Sequence, residues 1–153
     1  MYNREDYIKK ISKHLTTMRV EVELRNSIKW YDINIIAENF YKDLLNLYGY
    51  NLSNLNLTNP NADSVDLIDE TNKIAIQVTS RNDTTKIHDT IKGFYNNPEY
   101  DDYKRLIMLL IGKPKLDYPK TDFTKGNLFP FDKKEDIIDI ADILRKFESF
   151  LPE

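Results

Sequence analysis

The apolar positions Ile8, Ile11, Leu15, Met18 and Val22 recur at 3-4-3-4 spacing between residues 4 and 28. That rhythm predicts one long helix with a coiled-coil-like seam, and no Gly or Pro interrupts it. A second helix is predicted from about 33 to 48, with Asp32 as N-cap, Gly49 as stop and Ile33, Ile36, Ala37, Phe40, Leu44 and Leu47 as its stripe. Three short extended segments follow, YNLSNLNL, SVDLID and KIAIQVTS. The linker TNPNAD separates the first two, and the tight turn ETN joins the others as a hairpin. In the third, Ile74, Ile76 and Val78 alternate with Ala75, Gln77 and Thr79, the period of a strand.

RND then caps a helix of about 84 to 96 with Ile87, Ile91 and Phe94 on one face, and RLIMLLIG reads as a buried strand. Residues 113 to 132, rich in Pro, Lys and Asp, read as a long irregular loop. A last helix is predicted from about 134 to 150, with Ile137, Ile140, Leu144, Phe147 and Leu151 at helical spacing. The whole is one α/β domain over 1–153: an N-terminal helix (1–30), a core (31–112), and a loop with a C-terminal helix (113–153). Its mixed sheet is expected to hold about four strands.

Composition narrows the chemistry. With 153 residues, 41% of them hydrophobic and 31% charged, the chain is long enough to bury a core. It contains no Cys and two His, which excludes disulfides, thiolate zinc sites and His-rich metal sites. Any metal must be held by oxygens, which selects Mg²⁺, Mn²⁺ or Ca²⁺. The net charge of −3 requires any nucleic-acid surface to be a local patch. MYNREDYIKK has no apolar signal core, and LIMLLIG is far shorter than the ~20 residues of a membrane span. A cytoplasmic location away from membranes is expected.

The order from residue 33 to 111 is helix, strand, strand, strand, helix, strand. This αβββαβ order resembles the core of the PD-(D/E)XK, or restriction-endonuclease-like, superfamily. The paired strands VDLI and IAIQVT are similar to those of its Mrr-like branch. The wording of DINIIAENFYKDLLNLYGYNLSNLN, followed by DLIDETNKIAIQVTS and KI, resembles the bacterial SMEK domain of conflict and anti-phage systems. The resemblance implies that Glu38, Asp66 and Gln77 would surround a metal ion. Thr79 stands where a nuclease has its motif Lys. Lys86, near the start of the next helix, could supply an ammonium from another position, whereas Lys73 is at the wrong end of the strand.

Each of these residues also has an ordinary reading. Asp66 could be a strand-end carboxylate bonded to a turn, as Asp69 could. Gln77 could be a buried amide satisfying backbone groups, Glu38 could pair with Lys42, and Lys86 could simply face solvent. The Thr at the motif position and the acidic balance favour an interaction or sensor domain of a defence system that kept the fold and lost catalysis. The alternative is a Mg²⁺-dependent Mrr-like nuclease acting on DNA or RNA. On the first reading no cofactor is expected, on the second Mg²⁺. Expected partners are a second copy through the N-terminal helix, a protein of the defence system, and nucleic acid. The competitor for the N-terminal seam is the last helix of the same chain.

Overall fold

The computed structural model describes residues 3–57 and 65–150. The TNPNAD linker, Ser64 and Leu151 therefore lie outside the described residues. Helices α1 (Arg4–Ser27), α2 (Asp32–Asn46), α3 (Thr84–Tyr95) and α4 (Ile140–Phe150) surround five strands. These are β1 (Ser53–Asn54), β2 (Leu67–Asp69), β3 (Ile74–Thr79), β4 (Arg105–Leu110) and β5 (Ile137–Asp139), in the order β1-β2-β3-β4-β5. The first three pair antiparallel and the last three parallel.

The sheet divides the core into two layers. Ile76, Val78, Ile107, Leu109 and Ile111 meet Leu15 and Val22 of α1, Ala37, Tyr41 and Leu45 of α2, and Ile143 of α4. Ala75, Leu106, Met108 and Leu110 meet Ile87, Ile91 and Phe94 of α3. β3 and β4 are thus buried on both faces, as parallel central strands require.

Several boundaries differ from those the pattern predicts. The sheet has five strands, because Ile137–Asp139 forms β5 rather than the first turn of the last helix. Ile137 enters one core layer and Ile138 the other, beside β4, so alternation wins there. Helix α4 begins only after Asp139, which exchanges hydrogen bonds with Asp142: Asp142 N–H donates to Asp139 Oδ1 (3.0 Å), and Asp139 N–H to Asp142 Oδ2 (3.1 Å). Asp32 is not a cap. It lies inside α2, whose boundary residue Tyr31 makes no side-chain capping bond.

The buried stripe of α2 is Ile33, Ala37, Tyr41 and Leu45, whereas Ile36 and Leu47 are exposed. That rotation carries Glu38 inward. The segment expected as a single strand YNLSNLNL pairs only through Ser53–Asn54, then turns into a 3-10 helix, Leu55–Leu57. The 113–132 loop is irregular as expected, yet Tyr118, Phe123, Phe129 and Phe131 bury their rings against the α3 layer.

The α1 seam faces its own chain. Leu15 and Val22 are buried, and Ile11 and Met18 pack against the same core as Leu144 and Phe147 of α4. No described helix is long and apolar enough to cross a membrane.

Candidate functional site

The C-terminal end of β3 opens into a cavity of about 270 Å³. Its walls include Asn34 and Glu38 of α2, Asp66 before β2, Gln77 and Thr79 of β3, Arg81, and Lys86 of α3. The end of a parallel strand is where α/β sheets generally bind ligands, since flanking helices from both layers reach it. All four residues singled out from the sequence, Glu38, Asp66, Gln77 and Lys86, line this one cavity.

Asp66 owes its position to a break in strand alternation. Residues two apart on a strand share a face, yet Val65 packs in the α3 layer and Leu67 in the α2 layer. The chain bends between them. Asp66 N–H still donates to Ile76 O (3.0 Å), while its carboxylate turns into the plane of the sheet. There Oδ2 accepts the Val78 N–H (2.8 Å), which β2 would otherwise satisfy.

Glu38 does not pair with Lys42, whose ammonium lies 3.4 Å from Asp43. Its Oε2 accepts from Asn54 Nδ2 (3.3 Å) and Asn56 Nδ2 (3.1 Å). The same Asn56 Nδ2 donates to Asp66 Oδ1 (2.8 Å), so one amide nitrogen bridges both carboxylates. Asn54 is fixed in turn, donating to Asn39 Oδ1 (3.1 Å) and accepting the Asn56 N–H (3.0 Å).

Burial pushes the Glu38 carboxyl above its ordinary range, the Asp66 charge pushes it further, and the two asparagine amides pull it back. Asp66 is also raised by burial, against the opposing pull of Asn56, the Val78 N–H and the Lys86 charge. Asp69 behaves differently. Burial would raise it, but bonds from Asn72 and from the Asn51 and Asn72 N–H groups outweigh that and hold it low. It is the turn-bound strand-end carboxylate.

Gln77 and Thr79 are almost fully buried at the sheet end. Gln77 Nε2 makes one long bond to Val78 O (3.5 Å), and Thr79 Oγ1 accepts the Arg81 N–H (3.1 Å). Arg81 forks onto Asp83 (2.8 and 2.7 Å), whose carboxyl this bond draws down to about 2. Asp83 also caps α3 by accepting the Lys86 N–H (3.1 Å). The Lys86 ammonium has no ion-pair partner among the described residues, and it lines the cavity beside the acids.

Oxygen donors of this kind are the ones a hard divalent cation takes. Glu38 Oε1 has no hydrogen-bond partner among the described residues, both carboxyls are raised by burial, and their mutual repulsion is what a cation would relieve. Mg²⁺ commonly takes one or two carboxylates and completes its shell with water. Among the described residues no three His, Cys, Asp or Glu gather, so the third protein ligand would be the Gln77 amide oxygen.

Asn54, Asn56, Asn34 and Arg81 are the site residues that pattern reading missed. The only signal was the spacing of Asn51, Asn54 and Asn56 in the polar segment before β2. Asparagine there reads equally as turn chemistry.

No curated protein and no solved structure matches the chain. The family model described as SMEK domain matches residues 10–148, which spans both core layers and every residue of the cavity. The chain belongs to the SMEK domain family.

Proposed function

We propose that this SMEK domain is a metal-dependent nuclease with a restriction-endonuclease-like core, acting in bacterial defence beside a protein partner. The observation that carries the reading is the convergence of Glu38, Asp66, Gln77 and Lys86 on one cavity at the end of β3. Glu38 and Asp66 would hold the cation with the Gln77 amide oxygen. When bound, such an ion polarises a phosphoryl oxygen and makes bound water acidic. Asn56 orients both carboxylates, and the Val78 N–H fixes the Asp66 carboxylate in place. Lys86 brings a cation to the cavity from α3, substituting for the motif Lys that Thr79 replaces. Its task is to stabilise charge that develops on the phosphoryl group, a contribution typically worth on the order of 10²–10³ in rate.

Asn56 favours a second reading, a sensor or interaction domain without catalysis. A neutral amide donor already sits between the two acids, which satisfies them without an ion. The deciding experiment incubates the protein with single- and double-stranded DNA and RNA, with Mg²⁺, with Mn²⁺ or with EDTA. Cleavage that needs the metal and vanishes in Asp66→Ala and Lys86→Ala establishes the nuclease. No cleavage on any substrate leaves the sensor reading.

A further inference from the structure

The corner between α1 and α2 carries an exposed aromatic step whose side chains make no hydrogen bond or ring contact among the described residues. Trp30 is 62% exposed and Tyr31 57%. Both belong to the tight corner between α1 and α2, where Lys29 adopts φ 63 and the Trp30 N–H is tied to Arg25 O (2.8 Å). A non-glycine residue at positive φ is strained, and here that strain sets two consecutive rings at the start of α2.

Helix geometry connects the step to the cavity. Tyr31 stands three residues before Asn34 and seven before Glu38, both cavity residues. Those spacings place all three on one stripe of α2. Seven residues of helix rise about 10 Å, a distance of one or two nucleotides between Tyr31 and a phosphate seated at the acids.

We propose that Trp30 and Tyr31 are a stacking platform for the bases of single-stranded nucleic acid whose backbone enters the cavity between Glu38, Asp66 and Lys86. The inference rests on the nuclease reading of that cavity and names its substrate class. The exposed Leu24, Ile28, Ile35 and Ile36 on either side of the rings in the chain would suit another protein, so the case for unpaired bases rests on the rings and on charge. The rings are flat and amphipathic, and every base has a face to offer them. The exposed Lys29 immediately precedes them and Lys86 lies in the cavity, which supplies a cation near the rings and another near the acids, against the exposed Asp32 that follows Tyr31. A duplex, with its bases stacked inside, could offer the rings nothing.

Trp30 is the only tryptophan, so its fluorescence reports this spot alone. The experiment titrates the protein in Ca²⁺, a cation that takes oxygen ligands, with oligothymidylate and oligouridylate, and with a duplex of the same length. Binding is followed by indole quenching and by anisotropy of a labelled strand. Stacking predicts quenching by single strands, weakened by salt, with the duplex bound several-fold more weakly. Trp30→Ala and Tyr31→Ala, both surface changes checked by circular dichroism, should each weaken single-strand binding roughly 5- to 150-fold, the range for one lost base stack. Single strands that bind with no quenching and with unchanged affinity in both variants overturn the proposal, as does no binding at low salt. An indole emission that responds to protein concentration but not to oligonucleotide, with a dimer by light scattering, assigns the step to a second copy and also overturns it. Cleavage is scored separately. Stacking without cleavage retains the platform and rejects the nuclease, and cleavage unaffected by either ring substitution does the reverse.

Discussion

Glu38→Gln and Asp66→Asn remove the same charge from the same carboxylate pair, yet they should differ in stability. Among the described residues Glu38 uses only Oε2, which accepts from both Asn54 and Asn56. A glutamine can keep its one oxygen on those two donors and turn its NH₂ into the cavity. Asp66 uses both oxygens: Oδ1 takes the Asn56 amide and Oδ2 the Val78 N–H. An asparagine must then aim its NH₂ at one of these donors, which leaves a part-buried N–H unsatisfied at a cost of about 1–3 kcal/mol.

Relief of the like-charge repulsion, on the order of 1 kcal/mol, is common to both variants. Glu38→Gln should therefore be more stable than Asp66→Asn by about 1–3 kcal/mol, and equal to or above wild type. Urea unfolding at neutral pH in EDTA measures the difference. Asp66→Asn as stable as Glu38→Gln would show that the Asn56 bridge or the Val78 bond is not made as described.

The comparison also carries a pH sign. The Glu38 carboxyl is raised in the folded state, so the native protein binds the proton more readily than the unfolded chain. The wild type's penalty is then present at neutral pH and disappears as pH falls through the raised folded value. The advantage of Glu38→Gln over wild type should shrink across that window, which lies above the ordinary carboxylate range.

Three further outcomes are expected. Lys86→Ala should lower the urea midpoint only slightly, since among the described residues its ammonium makes no ion pair and acts on Asp66 only through its charge, while any metal-dependent cleavage falls by on the order of 10²–10³. Leu15→Glu should unfold the chain rather than dissociate a dimer: Leu15 is buried within its own core, and an uncompensated buried charge costs about 3–5 kcal/mol. A folded monomer in place of a wild-type dimer would reject that. Gly112→Ala should cost about 1–3 kcal/mol by thermal melting, because its Cβ would meet the Ser80 backbone oxygen at 2.6 Å, just past the ends of β3 and β4. A melting temperature equal to wild type would mean that the β3 and β4 ends can part without loss.

Which features could be read beforehand depends on whether their cause is local. The alternation of Ile74, Ile76 and Val78 is imposed by the strand itself, and Asp83 caps α3 with its own side chain. Both follow from neighbouring residues. β5 does not. Asp-Ile-Ile-Asp-Ile fits a helix start as well as a strand, and only the free edge of β4, provided by residues some thirty positions earlier, makes it a strand. The α1 seam has the rhythm of a dimer helix, but what covers it is fixed by α4 at the far end of the chain.

The cavity divides along the same line. The family resemblance carried by VDLI and IAIQVT singled out Glu38, Asp66 and Gln77, and the Thr at position 79 directed attention to Lys86. The bend at Asp66 was not legible, because it arises when Val65 and Leu67 are drawn into opposite core layers. That bend turns the Asp66 carboxylate toward Val78 and brings its other oxygen to Asn56. Asn56 in turn reaches Glu38 only because the YNLSNLNL segment leaves the sheet after Asn54 and coils into a 3-10 turn. The carboxylate pair is therefore held by two irregularities in neighbouring segments, each produced by packing elsewhere. A regular strand at either place would have separated the acids whatever their spacing in the chain.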